Sequence, residues 1–168
     1  MKLSLFTFLF LVLLLNSGCI SAFTTGAAVA VGIHDSSQKR AVWTKRAEEG
    51  DVYSQYELAQ SYCCSSLEGE KNPVQAVRWL CVAAKNGFAK AQVDLGKLYE
   101  NRVSYEGLNM KKDQQRAYMW YKLASRRANS EASNLLDKLE KNMTGREIRQ
   151  AQILVRDNRA VSCGVTND

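Results

Sequence analysis

The chain has a single histidine and a single proline in 168 residues, and the histidine, His34, lies near the N-terminus. Without a second histidine, common histidine-based zinc sites and Cys-His or Ser-His nucleophile pairs are hard to assemble around the folded part; His34 itself reads as solvated filler. No glycine-rich phosphate loop and no nucleophile elbow occur, and Cys63-Cys64 lacks the two-residue spacer of a dithiol redox motif. The neighbouring carboxylates Glu48-Glu49, and Glu68 with Glu70, sit where nothing would desolvate them or separate their pKa values. No basic patch is interleaved with stacking aromatics, so nucleic acid is not an expected partner. The expectation is a chain without a catalytic set and without a cofactor.

A long apolar run is also missing. Leu3 to Leu15 is apolar apart from Ser4 and Thr7, preceded by Lys2 and followed by Asn16-Ser17-Gly18-Cys19. This run is too short to span a bilayer comfortably and has the shape of a secretory signal over residues 1–18. The small residues before Cys19 resemble a bacterial lipobox, with Asn16 where the pattern carries an aliphatic residue. Three outcomes stay open: lipidation of Cys19 as the new N-terminus, cleavage after Ala22 to give a soluble exported protein, or an uncleaved anchor. In a Gram-negative host, Ile20 after the cysteine resembles outer-membrane sorting. Residues 19–41 read as a tether, small and apolar from Phe23 to Ile33 and then polar.

What the chain does have is repetition. Ala47, Gly50, Ser54, Leu58, Ala59 and Tyr62 recur as Ala84, Gly87, Ala91, Leu95, Gly96 and Tyr99, at a constant offset of 37. A blurred third copy, Ser125, Ala128, Ala132 and Leu136, follows at an offset of 41. A second shared pattern, Asn72, Ala76, Trp79 and Ala83, returns as Asp113, Ala117, Trp120 and Ala124. Such a period predicts stacked helix pairs over residues 42–157, with 158–168 as a tail. Helices crossing closely need small residues, supplied by Ala47, Ala59, Ala84, Ala91, Gly96 and Ala132, while Leu58, Leu95 and Leu136 fill the space between crossings. Trp79 and Trp120 are expected core anchors. Gly50 and Gly87 fit positive-φ helix ends, and Asn72 followed by the lone proline, Pro73, fits a helix start.

The segments Ser54–Tyr62 and Ala91–Tyr99, each followed by a Trp-bearing helix, resemble SEL-one-like repeats, relatives of tetratricopeptide repeats. The resemblance implies an all-α, right-handed solenoid of antiparallel helix pairs that scaffolds macromolecular complexes, often in bacterial envelopes, and it implies no chemistry. Asp137 and Glu140 depart from it in the third copy, which reads as a terminal cap. It further implies binding along a concave surface lined by the first helix of each pair. The candidates there are Tyr53, Tyr56 and Gln60, then Lys90, Val93 and Lys97, then Asn134 and Lys138. The longer Val103 to Met110 loop is a second possible contact. The expected partners are proteins of the cell envelope, with membrane attachment through Cys19. Two alternatives remain: a secreted enzyme or penicillin- and cell-wall-binding protein, as cysteine-rich relatives suggest, and a periplasmic regulator of a sensor or secretion system.

Beyond Cys19, the cysteines are Cys63, Cys64, Cys81 and Cys163, which allow three pairings. A bridge from Cys63 or Cys64 to Cys81 would tie one helix pair, Cys163 could pin the tail onto it, and free buried thiols are the alternative. The chain carries 23 Lys and Arg against 17 Asp and Glu. Twelve basic and seven acidic residues fall after Met110, so the surplus sits in the last repeat and tail. Thr144 and Glu147 have the spacing of a capping box for a final helix with an apolar stripe of Ile148, Ala151 and Val155. Arg146, Arg149 and Arg156 share another face of that helix, open to an acidic protein, an anionic polysaccharide or lipid headgroups, or simply solvated.

Overall fold

Left-handed residues at regular intervals cut the chain into helices. Gly50 at φ 97° and Gly87 at φ 88° end two of them, and Ala128 at φ 58° ends a third. The backbone N–H of each donates three residues back, to Ala47, Ala84 and Ser125, at 3.1, 3.0 and 3.1 Å. Glycine takes this conformation freely, whereas Ala128 bears a strain of about 1 kcal/mol, the mark of a degenerate third copy.

In the computed structural model, residues 36–64, 71–157 and 162–163 are described. They form α1 (Ser36–Glu48), α2 (Val52–Cys63), α3 (Pro73–Lys85), α4 (Ala89–Tyr99), α5 (Gln114–Ser125), α6 (Ser130–Glu140) and α7 (Gly145–Arg156), with no strand among them. The signal segment, Cys19, His34, Glu68, Glu70 and most of the tail lie outside the described residues. Helix α1 begins at Ser36, so part of the stretch read as tether is helical.

The helix starts follow from their caps. The Asn72 side chain accepts from the Gln75 N–H at 3.0 Å, with Pro73 opening α3. Asp113 accepts from Arg116 N–H at 2.9 Å, and Asn129 from Ala132 N–H at 2.9 Å. Thr144 and Glu147 complete the capping box on α7. The two pairs α2–α3 and α4–α5 are closed alike: Asn72 N–H donates to the Tyr62 carbonyl at 2.9 Å, and Asp113 N–H to the Tyr99 carbonyl at 2.8 Å. Equivalent residues thus do equivalent work in both repeats.

Consecutive helices pack on one another from α1 to α6, and α7 folds back onto α5. Helix α5 is therefore covered nearly all round. Ala117, Tyr118, Met119, Trp120, Tyr121 and Ala124 are all buried, and so are the repeat leucines Leu58, Leu95 and Leu136. Trp120 is the expected anchor. Trp79, its counterpart, is only half-buried against the core, because α3 packs chiefly on α2 and α4 and has no helix folded back on it as α7 is on α5. Gly96 lies flat against the Tyr121 ring, where a Cβ would come within 2.6 Å of Cδ1. The Tyr121 hydroxyl, in turn, donates to Glu100 at 2.9 Å.

Cys81 on α3 is bridged to Cys163, with Cα atoms 6.1 Å apart and both residues buried. Cys63 and Cys64 are bridged to each other. The expected tie from Cys63 or Cys64 to Cys81 is therefore not made: the two neighbours close on one another at the end of α2, and Cys81 faces the returning tail. The pinning of the tail by Cys163 is present.

Candidate functional site

The first helices of successive pairs, α2, α4 and α6, are joined by side chains along one face of the array. The Tyr56 hydroxyl on α2 donates to Asp94 on α4 at 2.9 Å. Lys97, one turn further along α4, approaches Asp94 at 3.9 Å and pairs with Glu131 on α6 at 2.7 Å. Burial raises the Asp94 carboxyl above its ordinary range, a rise that the Tyr56 hydrogen bond and the Lys97 and Lys90 charges oppose. Burial, with the Asp94 charge, likewise pushes the Tyr56 and Tyr105 phenols well up, so both stay neutral hydroxyls in any physiological medium.

Above this line sits an aromatic and cationic cluster. Phe88, at the start of α4, meets Tyr56 at 5.1 Å between ring centroids and Tyr53 edge-on at 6.4 Å. The Lys90 ammonium lies 5.0 Å over the Tyr56 ring. Tyr53 is 58% exposed, the most exposed large apolar side chain among the described residues. A tyrosine held by edge contact with Phe88 and by its hydroxyl's bond to Glu57, with most of its surface exposed, suits partner recognition because little rotamer freedom remains to be lost.

The resemblance put three residues on each of α2 and α4 and two on α6 along the binding face, and the structure divides them. Tyr53, Lys90, Asn134 and Lys138 are exposed, and Gln60 and Lys97 are half-buried. Tyr56 and Val93 are buried, at 4% and 1% exposure, and are not contact residues. Helices α2 and α4 are each flanked by the next first helix as well as by their own partner, so the middle position of each of their sets turns inward. Val93 packs with Ala124 and Ala132, and Tyr56 packs on Phe88.

Phe88, Asp94 and Glu131 were missed. Asp94 stands one residue after Val93 and Phe88 one residue after the helix-ending glycine, and no periodicity singles out either. The Val103–Met110 loop is partly folded back: Tyr105, Leu108 and Met110 pack on the core and Val103 remains exposed. On α7, Arg146, Arg149 and Arg156 are exposed, and Arg156 lies 3.6 Å from Asp157.

The groups on this face are suited to binding a partner. The carboxylate is held by a phenol and a lysine, and the exposed groups are an aromatic ring, an amide and ammonium ions, with no activated nucleophile among them.

Stacked helix pairs joined in this way define an α-solenoid repeat protein. Residues 52–88 and 89–129 match the Sel1 repeat, so the chain carries two repeats of the Sel1-like kind. Among solved structures, a protective antigen of uropathogenic Escherichia coli strains displaying an SLR fold is similar over 70% of this chain, with 27% identity and a TM-score of 0.60. The matched part is 24% of that protein's length. A Sel1 repeat protein from Oxalobacter formigenes is 24% identical over 67% of this chain and 96% of its own, with a TM-score of 0.49. No curated protein sequence matches. The Sel1 repeat is in general a non-catalytic protein-interaction scaffold.

Proposed function

We propose that this chain is a non-enzymatic interaction module of the bacterial cell envelope that seats a protein partner along α2, α4 and α6. The observation that carries the reading is the continuous face in which exposed Tyr53, Lys90, Asn134 and Lys138 stand over the Tyr56–Asp94–Lys97–Glu131 line. That line ties three helices into one rigid platform, so recognition costs little ordering. Replacing Tyr53→Ala together with Lys90→Glu is expected to weaken capture of the native partner at least tenfold while leaving the helical signal unchanged. Both side chains are exposed, so the fold does not depend on them. Unaltered capture by this folded variant would place the partner elsewhere.

Export and anchoring complete the proposal. The signal-like run before Cys19 supports it, and so does the Cys81–Cys163 bridge, which persists in oxidising compartments. Intact mass of the mature protein tests this part: a chain beginning at a diacylated Cys19 is expected, and a lipid-free chain beginning at Phe23 would remove the anchor.

A further inference from the structure

Gln55 and Gln92 occupy the same position in the two repeats. Each donates its amide N–H to the end of the preceding helix, Gln55 to the Ala47 carbonyl at 3.1 Å and Gln92 to the Ala84 carbonyl at 2.9 Å. In the first repeat the second half of the amide is also satisfied: Gln55 Oε1 accepts from the Asn86 side chain at 2.9 Å. The residue equivalent to Asn86 in the next repeat is Arg127, at the offset of 41 that relates the second helices.

Arg127 does not reproduce the bond. Its guanidinium lies instead over Gly87, where a Cβ would stand 2.7 Å from Cζ, and Gln92 Oε1 is left buried without a partner. Gln92 is 3% exposed. A buried acceptor without a donor costs about 1–3 kcal/mol, so the departure from the repeat calls for a reason.

Beside this amide is a cavity of about 490 Å³, lined by Lys85, Gly87, Gln92, Leu123, Arg126 and Arg127, with the Ala84 backbone end. Its volume falls within the ~300–1,000 Å³ usual for ligand sites. Three cations border it and no acidic residue does. Among the described residues, none of the three has a carboxylate within 4.0 Å. The site thus offers three sets of N–H donors to an anion and one unmatched acceptor to an N–H. A fully ionised inorganic anion such as sulfate supplies only acceptors and would leave Gln92 Oε1 bare. A peptide carries both, with a backbone N–H beside each acidic side chain.

We propose that this cavity docks an acidic peptide segment of a partner protein. Its carboxylate is held by Lys85, Arg126 and Arg127, and a backbone N–H meets Gln92 Oε1 once Arg127 moves off Gly87. The site lies where α3 and α5 end, apart from the face carrying Tyr53 and Lys90, and it rests on the interaction reading only in taking the ligand to be a protein.

The test is fluorescence anisotropy of a labelled peptide of alternating Glu and Gly, titrated with the purified disulfide-intact protein at an ionic strength of about 0.15 M, where exposed charges are largely screened. Saturable binding is expected. Arg127→Asn places at this position the side chain that already serves Gln55, so it should fold normally, melt no lower than the wild type, and bind at least tenfold more weakly. Arg78→Gln removes one charge from an exposed part of α3 and should alter affinity less than twofold. Unlabelled peptide should compete, and sulfate at the same concentration should not. Absence of saturable binding overturns the proposal. So does an equal loss with Arg78→Gln, which means diffuse charge attraction, or competition by sulfate as effective as by peptide, which means a simple anion site. The Tyr53→Ala, Lys90→Glu variant should retain peptide binding, so failure at the first-helix face and failure at this cavity are read separately.

Discussion

Removing the Cys81–Cys163 bridge, by Cys81→Ala with Cys163→Ala, is expected to lower the unfolding free energy by about 4 kcal/mol. The bridge joins residues 82 apart in sequence. Closing a loop of that length restricts the unfolded chain by roughly 4–5 kcal/mol in the chain-entropy model, with about 2–4 kcal/mol typical of measured bridges. The native state loses something as well, because both cysteines are buried and their packing goes with the bridge. Urea unfolding checks this directly: a drop in midpoint of about 2 M is expected at the usual slope for a small protein. A change below about 1 kcal/mol would mean that the tail is not held against α3 and that α7 alone caps the array.

The second large effect belongs to a glycine in the middle of a helix. Gly96→Ala is ordinarily favourable at such a position by about 1 kcal/mol, because alanine is the better helix former. Here the new methyl would sit within 2.6 Å of Tyr121 Cδ1, on a ring with no exposed surface whose hydroxyl is tied to Glu100 at 2.9 Å. Neither the ring nor the backbone of α4 can yield, so the overpacking cost, at the upper end of about 1–3 kcal/mol, outweighs the helix gain. A net loss of about 2 kcal/mol is expected, seen as a fall in Tm of roughly 6–10 °C. Combining Gly96→Ala with Tyr121→Leu should recover more than the sum of the single changes predicts, by at least about 0.5 kcal/mol. Stabilisation by Gly96→Ala alone would contradict the close crossing of α4 and α5.

Much of this architecture could be read before the coordinates because repetition converts weak local signals into strong ones. A glycine, an alanine or a leucine means little singly. Gly50 and Gly87, Ala47 and Ala84, Leu58 and Leu95 at one offset mean stacked helix pairs, and every one of these residues does the expected work. The Asn72-Pro73 start and the Thr144–Glu147 box were legible for a different reason: a cap is a local bond between residues three apart.

What was not legible depended on neighbours in space. The inward turn of Tyr56 and Val93 is decided by the adjacent first helix, which no single-helix pattern contains. The pairing of Cys81 with Cys163 depends on how the tail returns after α7, and four cysteines in a sequence carry no such information. Asp94 gains its importance from Tyr56 on the helix before and from Lys97, and Glu131 from Lys97 on the helix before. The orphaned oxygen of Gln92 becomes visible only when its repeat-mate Gln55 is seen bonded to Asn86.

The central claim is that partners bind the face of α2, α4 and α6. A photoreactive amino acid at Tyr53, compared with one at Val82 on α3, tests it most directly in the native host. Both sites are exposed, at 58% and 38%, and they lie on a first and a second helix respectively. The account expects a discrete crosslinked species from the Tyr53 position that the Lys90→Glu change diminishes, whereas any species from Val82, one turn from Lys85, is unaffected by Lys90→Glu. Crosslinking from Val82 to the same partner with nothing from Tyr53 would contradict it and move the interaction to the second helices.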